Sequence, residues 1–246
     1  MDQLEQINIH NYNITYIKKD NVIGFFLKNG AYWDEWMLKY FQDYYIKNTD
    51  MVDIGAHIGT TSLLMSEVIT KGNVIHSFEP LFDDILELNI KNNNKKNVIK
   101  LYNCGLGEDN YQINKPIVNR NIENNFGGYN IALFHDGYRQ EYPENTEKIK
   151  IRTLDSFNLT NISLIKIDVE GYELNVLQGA NETLRKNNFP TILIEIWEND
   201  GPRGETIKIS EFYLNRKKEL IKYLENLCYS VIHIVGYDHI CIHKSH

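Results

Sequence analysis

The residues of this chain that could do chemistry are acids placed where apolar runs end. Met51-Val52-Asp53-Ile54 runs into Gly55-Ala56-His57-Ile58-Gly59, and a later run closes on Phe78-Glu79-Pro80. An Asp-x-Gly turn after a strand, a helix opening from it and an acid about 20 residues on are signs of a nucleoside-binding βαβ unit. Gly55 and Gly59 let backbone approach a ligand, and Glu79 is placed to hold two ribose hydroxyls with its two oxygens. Further on, Leu164-Ile165-Lys166-Ile167 ends in Asp168-Val169-Glu170-Gly171. Two neighbouring acids tend to have their pKa values pushed apart, which leaves one of them free to act as a base.

The turn is not G-x-G-x-x-G, because Ala56, His57 and Ile58 fill the space between the glycines. A pyrophosphate needs a glycine-rich approach to a helix N-terminus. S-adenosylmethionine carries no phosphate but an amino group and a sulfonium, so the acidic Asp53 suits it better than a dinucleotide. The expected donor contacts are Asp53, Gly55, Ala56, His57, Gly59, Glu79, Pro80 and Asp168, with the backbone of Cys104-Gly105-Leu106 receiving the adenine. Two other readings stay open: a nicotinamide-dependent oxidoreductase of sugar nucleotides, with Glu79 on the NAD ribose, and a non-catalytic glycan-binding module on the same fold.

For proton removal the candidates are Asp168 and Glu170, joined by His135 if the segment that carries it folds over the site. Against this, Asp168 could cap the next helix and Glu170 could anchor Lys166. Glu198, Asn199 and Asp200, taken with Asp168, offer oxygen ligands of the kind Mg²⁺ prefers.

These residues need elements to hold them. Residues 7–29 alternate imperfectly and read as a hairpin or two short strands, and Trp36, Met37, Tyr40, Phe41 and Tyr44 recur at helical spacing as a core-facing aromatic stripe. Residues 1–48 are therefore expected to pack as an extension on a domain formed by 49–246. That domain alternates strands at 51–54, 74–78, 98–103, 164–167 and 191–197 with helices at 59–70, 81–92, 172–187 and 210–226. Ile85, Leu88 and Asn89 face inward on the second of these helices, and Ser210 caps the last. Segments 229–235 and 239–243 form a closing hairpin. The expected fold is a doubly wound, Rossmann-like α/β sheet, mostly parallel with an antiparallel C-terminal hairpin strand. Between 111 and 150 the helical period lapses, and a stretch of that length inside a compact domain is read as an acceptor-facing insertion.

Composition narrows the classes. At 246 residues with a formal charge of -7, the chain can bury a core but lacks the basic face nucleic acid requires. The small basic cluster Lys91, Lys95 and Lys96 reads as a solvated helix end. No apolar run approaches the length of about 18 residues needed to cross a membrane. The polar, acidic N-terminus and three cysteines without metal or redox spacing point to a cytoplasmic protein. The oligomeric state stays open, a homodimer included.

Four blocks in one order resemble the FkbM-type S-adenosylmethionine-dependent methyltransferases: Val52-Asp53-Ile54-Gly55-Ala56-His57-Ile58-Gly59, Phe78-Glu79-Pro80, Leu154-Asp155, and Ile165-Lys166-Ile167-Asp168-Val169-Glu170-Gly171-Tyr172-Glu173 leading to Val176-Leu177-Gln178-Gly179-Ala180. His57 stands where that family usually carries asparagine. The resemblance implies the class I methyltransferase fold and methyl transfer to oxygen, often a sugar hydroxyl of a glycan, glycolipid or related glycoside.

Overall fold

The computed structural model describes residues 3–129, 146–197 and 207–245. β1 (Leu4–Ile9) and β2 (Tyr12–Ile17) form an antiparallel hairpin. His10 and Asn11 at its tip both have positive φ, the geometry a two-residue turn needs to match strand twist. The chain then turns helical in α1 (Ile23–Lys28), where alternation had suggested a strand. Asp20 Oδ1 accepts the Val22 N–H at 2.9 Å, and Ile23 and Leu27, four residues apart, are the buried pair.

In α2 (Met37–Tyr44) only Met37 and Phe41 are fully buried; Trp36, Tyr40 and Tyr44 lie half-buried against the same core. Asn89 fixes this N-terminal segment to the domain. Its side chain accepts from Thr15 N at 2.6 Å and donates to Thr15 O at 2.9 Å and Ile58 O at 2.8 Å.

The main sheet has the order β11-β12-β10-β9-β3-β4-β5, formed by β3 (Asp50–Ile54), β4 (Ile75–Phe78), β5 (Ile99–Tyr102), β9 (Ile162–Ile167), β10 (Thr191–Glu195), β11 (Tyr229–Val235) and β12 (Asp238–His243). The five strands from β3 to β10 run parallel, and β12 is antiparallel to both β10 and β11. The expected α/β class is therefore observed. β3 is flanked by β4 on one side and β9 on the other, so the order reverses there and opens a crevice at the strands' carboxyl ends. α3 (Thr60–Val68) and α4 (Asp83–Asn92) follow β3 and β4. In α4 the inward residues are Ile85, Leu86, Asn89 and Ile90, whereas Leu88 is exposed.

Three expectations are corrected in the second half. The insertion read over 111–150 is bounded by strands, because β6 (Gly105–Leu106), β7 (Tyr111–Pro116) and β8 (Thr146–Arg152) form a small sheet. The helix expected over 172–187 is two helices, α5 (Glu173–Gln178) and α6 (Asn181–Lys186). The break falls at Gly179, where a Cβ would run into the Gly107 carbonyl. Asp155 restarts the chain by accepting the N–H groups of Glu182 and Thr183 at 3.1 and 2.7 Å. The last helix, α7 (Ile207–Asn226), begins before Ser210, which is thus inside it and not its cap. Among the described residues no helix is long and apolar enough to cross a membrane.

Candidate functional site

The turn after β3 is built on positive φ. Gly55 has φ +77°, and a Cβ there would collide with the Asp168 carbonyl oxygen. The N–H groups of Gly55 and Ala56 both donate to Phe78 O at 3.1 Å, which folds the turn onto the end of β4. Glu79 is buried and faces the resulting crevice. Its Oε1 accepts from the Leu81 and Phe82 N–H groups at 2.7 and 3.1 Å, and its Oε2 from the His57 N–H at 2.8 Å. Burial raises its pKa while these three donors oppose the rise. Three of its roughly four lone-pair directions are therefore in use. One direction remains for a ligand hydroxyl, where the sequence suggested two free oxygens.

Asp53 does not line the crevice. It is wholly buried, with Oδ2 accepting from Thr61 Oγ1 at 2.9 Å and Ser62 Oγ at 2.5 Å, and Oδ1 3.6 Å from Lys166 Nζ. Gly59 does not line it either; at φ +93° it caps α3, and a Cβ there would strike Leu86.

From β9, the Asp168 N–H donates to Ile54 O at 3.1 Å, joining the second motif to the first. Glu170 and Gly171 both have positive φ, an arrangement costly for a glutamate and typical of functional loops. The loop is held from the next helix: Glu173 Oε1 accepts from Val169 N at 3.2 Å and Gly171 N at 2.9 Å. No side chain caps this helix, so Asp168 does not take the capping role.

Two cavities meet here. The first, about 620 Å³, has walls of Ile54, Phe78, Leu81, Phe82, Phe126 and Ile151, with Glu79, Pro80, Cys104, Gly105, Leu106 and Tyr172 around them. Among the described residues no lysine or arginine lines it, so a pyrophosphate would find no cation there. The second, about 700 Å³, is lined by Ala56, Thr60, Thr61 and Lys166 and by the acids Asp34, Asp168, Glu170, Glu195 and Asp238. Gly55, His57, Gly127, Asp168 and Glu170 border both.

His57 sits between the two with φ +49° and its ring edge-on to Phe82 at 4.7 Å. Neither ring nitrogen has a hydrogen-bond partner, although both are buried. Burial, with Lys166 and Arg120 adding to it, lowers its pKa to about 3, so the ring is neutral and offers one donor and one acceptor. An orphaned polar pair facing a cavity fits a ligand with polar groups of its own.

The second cavity is strongly acidic. Burial first, then Asp168, raises Asp34 to about 6 and Asp238 to about 8. Burial and the neighbouring acids hold Glu170 and Glu195 well above the carboxylate range. For Lys166 burial alone would depress the pKa, but Asp168, Asp53 and Asp34 together hold it above its ordinary value. Asp168, Glu170 and Glu195 can each bring one oxygen within 4.8 Å of the others. Glu198, Asn199 and Asp200, read as Mg²⁺ ligands, lie outside the described residues, as does His135.

Segments outside the parallel domain complete the walls. Phe126, Gly127 and Tyr129 border the first cavity, Asn125, Gly127 and Gly128 the second, and Val22, Ile23, Trp33 and Asp34 come from the N-terminal segment. Sequence reasoning missed Lys166, Glu173, Glu195, Asp34 and Asp238 as site residues. Lys166 and Glu195 did leave a signal, each being the one charge in an apolar strand run.

A mostly parallel α/β sheet with a crevice at its switch point, and no lysine or arginine among the described residues lining that crevice, is the arrangement of a class I methyltransferase. Residues 53–231 match the family model described as the methyltransferase FkbM domain, and the chain belongs to that S-adenosylmethionine-dependent methyltransferase family. It is 28% identical over 194 residues to methyltransferase sdnD of Sordaria araneosa, covering 64% of this chain and 70% of that protein. It is 28% identical over 167 residues to hexuronic acid methyltransferase AglP of Haloferax volcanii, covering 66% of this chain and 62% of that one. A crystal structure of methyltransferase FkbM from Methylobacillus flagellatus KT shares the fold at TM-score 0.51 and 17% identity, over 83% of this chain and 49% of that one. The chain thus spans about half of that structure and under two thirds of AglP.

Proposed function

We propose that this chain transfers a methyl group from S-adenosylmethionine to a sugar hydroxyl oxygen of a glycan, glycolipid or related glycoside. The observation that carries the reading is Asp168, which borders both cavities. A group in that position can face donor and acceptor together.

When bound, the donor supplies an electrophilic methyl carbon on a sulfonium. Pro80, Cys104, Gly105 and Leu106 form the wall for the adenine, Glu79 offers its remaining lone pair to the ribose, and His57 meets the donor where the cavities join. A hydroxyl is a poor nucleophile until its proton has a destination. Asp168 receives that proton. Lys166 Nζ, 3.4 Å from Asp168 Oδ2, orients the carboxylate. The sugar assignment is supported by the polar second cavity and by the similarity to AglP, a hexuronic acid methyltransferase. The acceptor-facing part falls to residues 125–128 and to the N-terminal segment.

The test is incubation with labelled donor and a panel of cell-derived glycans, locating the label by mass spectrometry. Asp168→Asn is expected to lower kcat by roughly 10²–10⁴ while S-adenosylhomocysteine affinity stays within a few-fold. A purified protein with no saturable binding of S-adenosylhomocysteine would overturn the reading.

A further inference from the structure

The second cavity is lined by acids from several parts of the chain. Asp34, Asp168, Glu170, Glu195 and Asp238 line it, and its one cation among the described lining residues, Lys166, is already committed. Lys166 Nζ donates to Gly55 O at 2.8 Å and lies within 3.6 Å of Asp53 and 3.4 Å of Asp168.

A second observation points to a missing cationic donor. Glu195 Oε2 is buried and has no hydrogen-bond partner. An acceptor atom in that position is costly unless something donates to it when the site is in use. Oxygens of Asp168, Glu170 and Glu195 come within 4.8 Å of one another. A primary ammonium brings three donors on one atom, which matches three such oxygens, and its charge offsets the burial and mutual repulsion that raise the pKa values of Glu170 and Glu195. A carboxylate brought to the same place would meet acids on every side and find no free cation.

We propose that the acceptor is an amine-bearing sugar, its ammonium held by Glu170 and Glu195 and its hydroxyl presented to Asp168. This rests on the methyl-transfer reading and narrows it. It also separates this chain from its 28% identical relative AglP, named for a hexuronic acid. Asp34, from the N-terminal segment, closes the acidic ring from outside the matched family domain, residues 53–231.

The experiment compares a matched glycoside set carrying a free amine, a neutral hydroxyl or a carboxylate at one position. Binding is measured on S-adenosylhomocysteine-loaded protein by calorimetry, and turnover by S-adenosylhomocysteine release. The amine is expected to exceed the carboxylate by roughly 100-fold in kcat/KM, the scale of a partly screened charge contact. Glu195→Gln is expected to cut the amine-over-neutral preference about tenfold without changing S-adenosylhomocysteine affinity. A carboxylate sugar used as well as the amine overturns the inference while leaving methyl transfer intact, as does failure of all three to bind. If Glu195→Gln instead weakens S-adenosylhomocysteine, the ammonium seated there is the donor's own and the inference falls. If S-adenosylhomocysteine itself does not bind, the underlying reading falls first. Tighter donor or sugar binding only when Mg²⁺ is added would identify the group as a metal ion and reject the amine.

Discussion

Lys166 Nζ donates to the carbonyl oxygen of Gly55 at 2.8 Å, tying the carboxyl end of β9 to the turn that follows β3. The same ammonium stands between Asp53 and Asp168, so one buried cation sets both motif loops. Removing it leaves two acids facing each other without compensation. Lys166→Met is expected to destabilise the fold by roughly 3–5 kcal/mol, the usual result of stripping one partner from a buried ion pair. Urea unfolding of the variant measures this, and an unchanged midpoint would refute the role.

Glu79 is held by three backbone N–H groups, and an amide cannot accept at both ends. Glu79→Gln turns an NH₂ group toward at least one of those donors. S-adenosylhomocysteine affinity should fall at least about tenfold, as loss of one charged hydrogen bond implies. Calorimetry decides, and equal affinities would show that the carboxylate shapes the turn without meeting the ligand.

Gly55→Ala places a methyl group into the Asp168 carbonyl and imposes φ +77° on an L residue. The backbone strain alone is about 1–3 kcal/mol. Donor binding should be lost and the melting temperature lowered. A variant that binds S-adenosylhomocysteine normally would mean the two loops separate more easily than their contacts indicate.

Stability of the free protein should fall as pH rises from about 4 to 8. Asp34, Glu173 and Asp238 have folded pKa values of about 6, 7 and 8, all raised first by burial. The folded state therefore binds more protons than the unfolded chain in that window, and stability present below pH 4 is lost through those values. His57, lowered to about 3, works oppositely, and its share falls between pH 3 and 6.5. Above pH 6.5 only the acids remain, so the decline should be clearest from 6.5 to 8. Thermal melts of Asp238→Asn should show a shallower decline there, and an identical slope would remove Asp238 from the account.

Much of this architecture was readable in advance. Alternating apolar runs and glycine stops marked the five parallel strands, because parallel strands covered on both faces must be apolar throughout. The positive-φ turn at Gly55, and Glu79 at the end of β4, were legible because few residue types meet such backbone and placement demands. Failures fell where tertiary contacts overrode local pattern. Val22, Gly24 and Phe26 alternate like a strand, yet the burial of Ile23 and Leu27 makes that segment a helix. The run 172–187 looks like one helix until Gly107 packs against Gly179.

The sequence by itself determined the parallel sheet, the glycine turn and the acids that end its strands, since these follow from residue type and nearby spacing. Only the tertiary structure decided that Asp53 is consumed inside the turn, that Lys166 binds the two motifs, and that Asp34, Glu195 and Asp238 meet Asp168 in one cavity. Those outcomes depend on charges brought together from distant parts of the chain. Their pairing and burial are properties of the folded space between them, which no local spacing encodes.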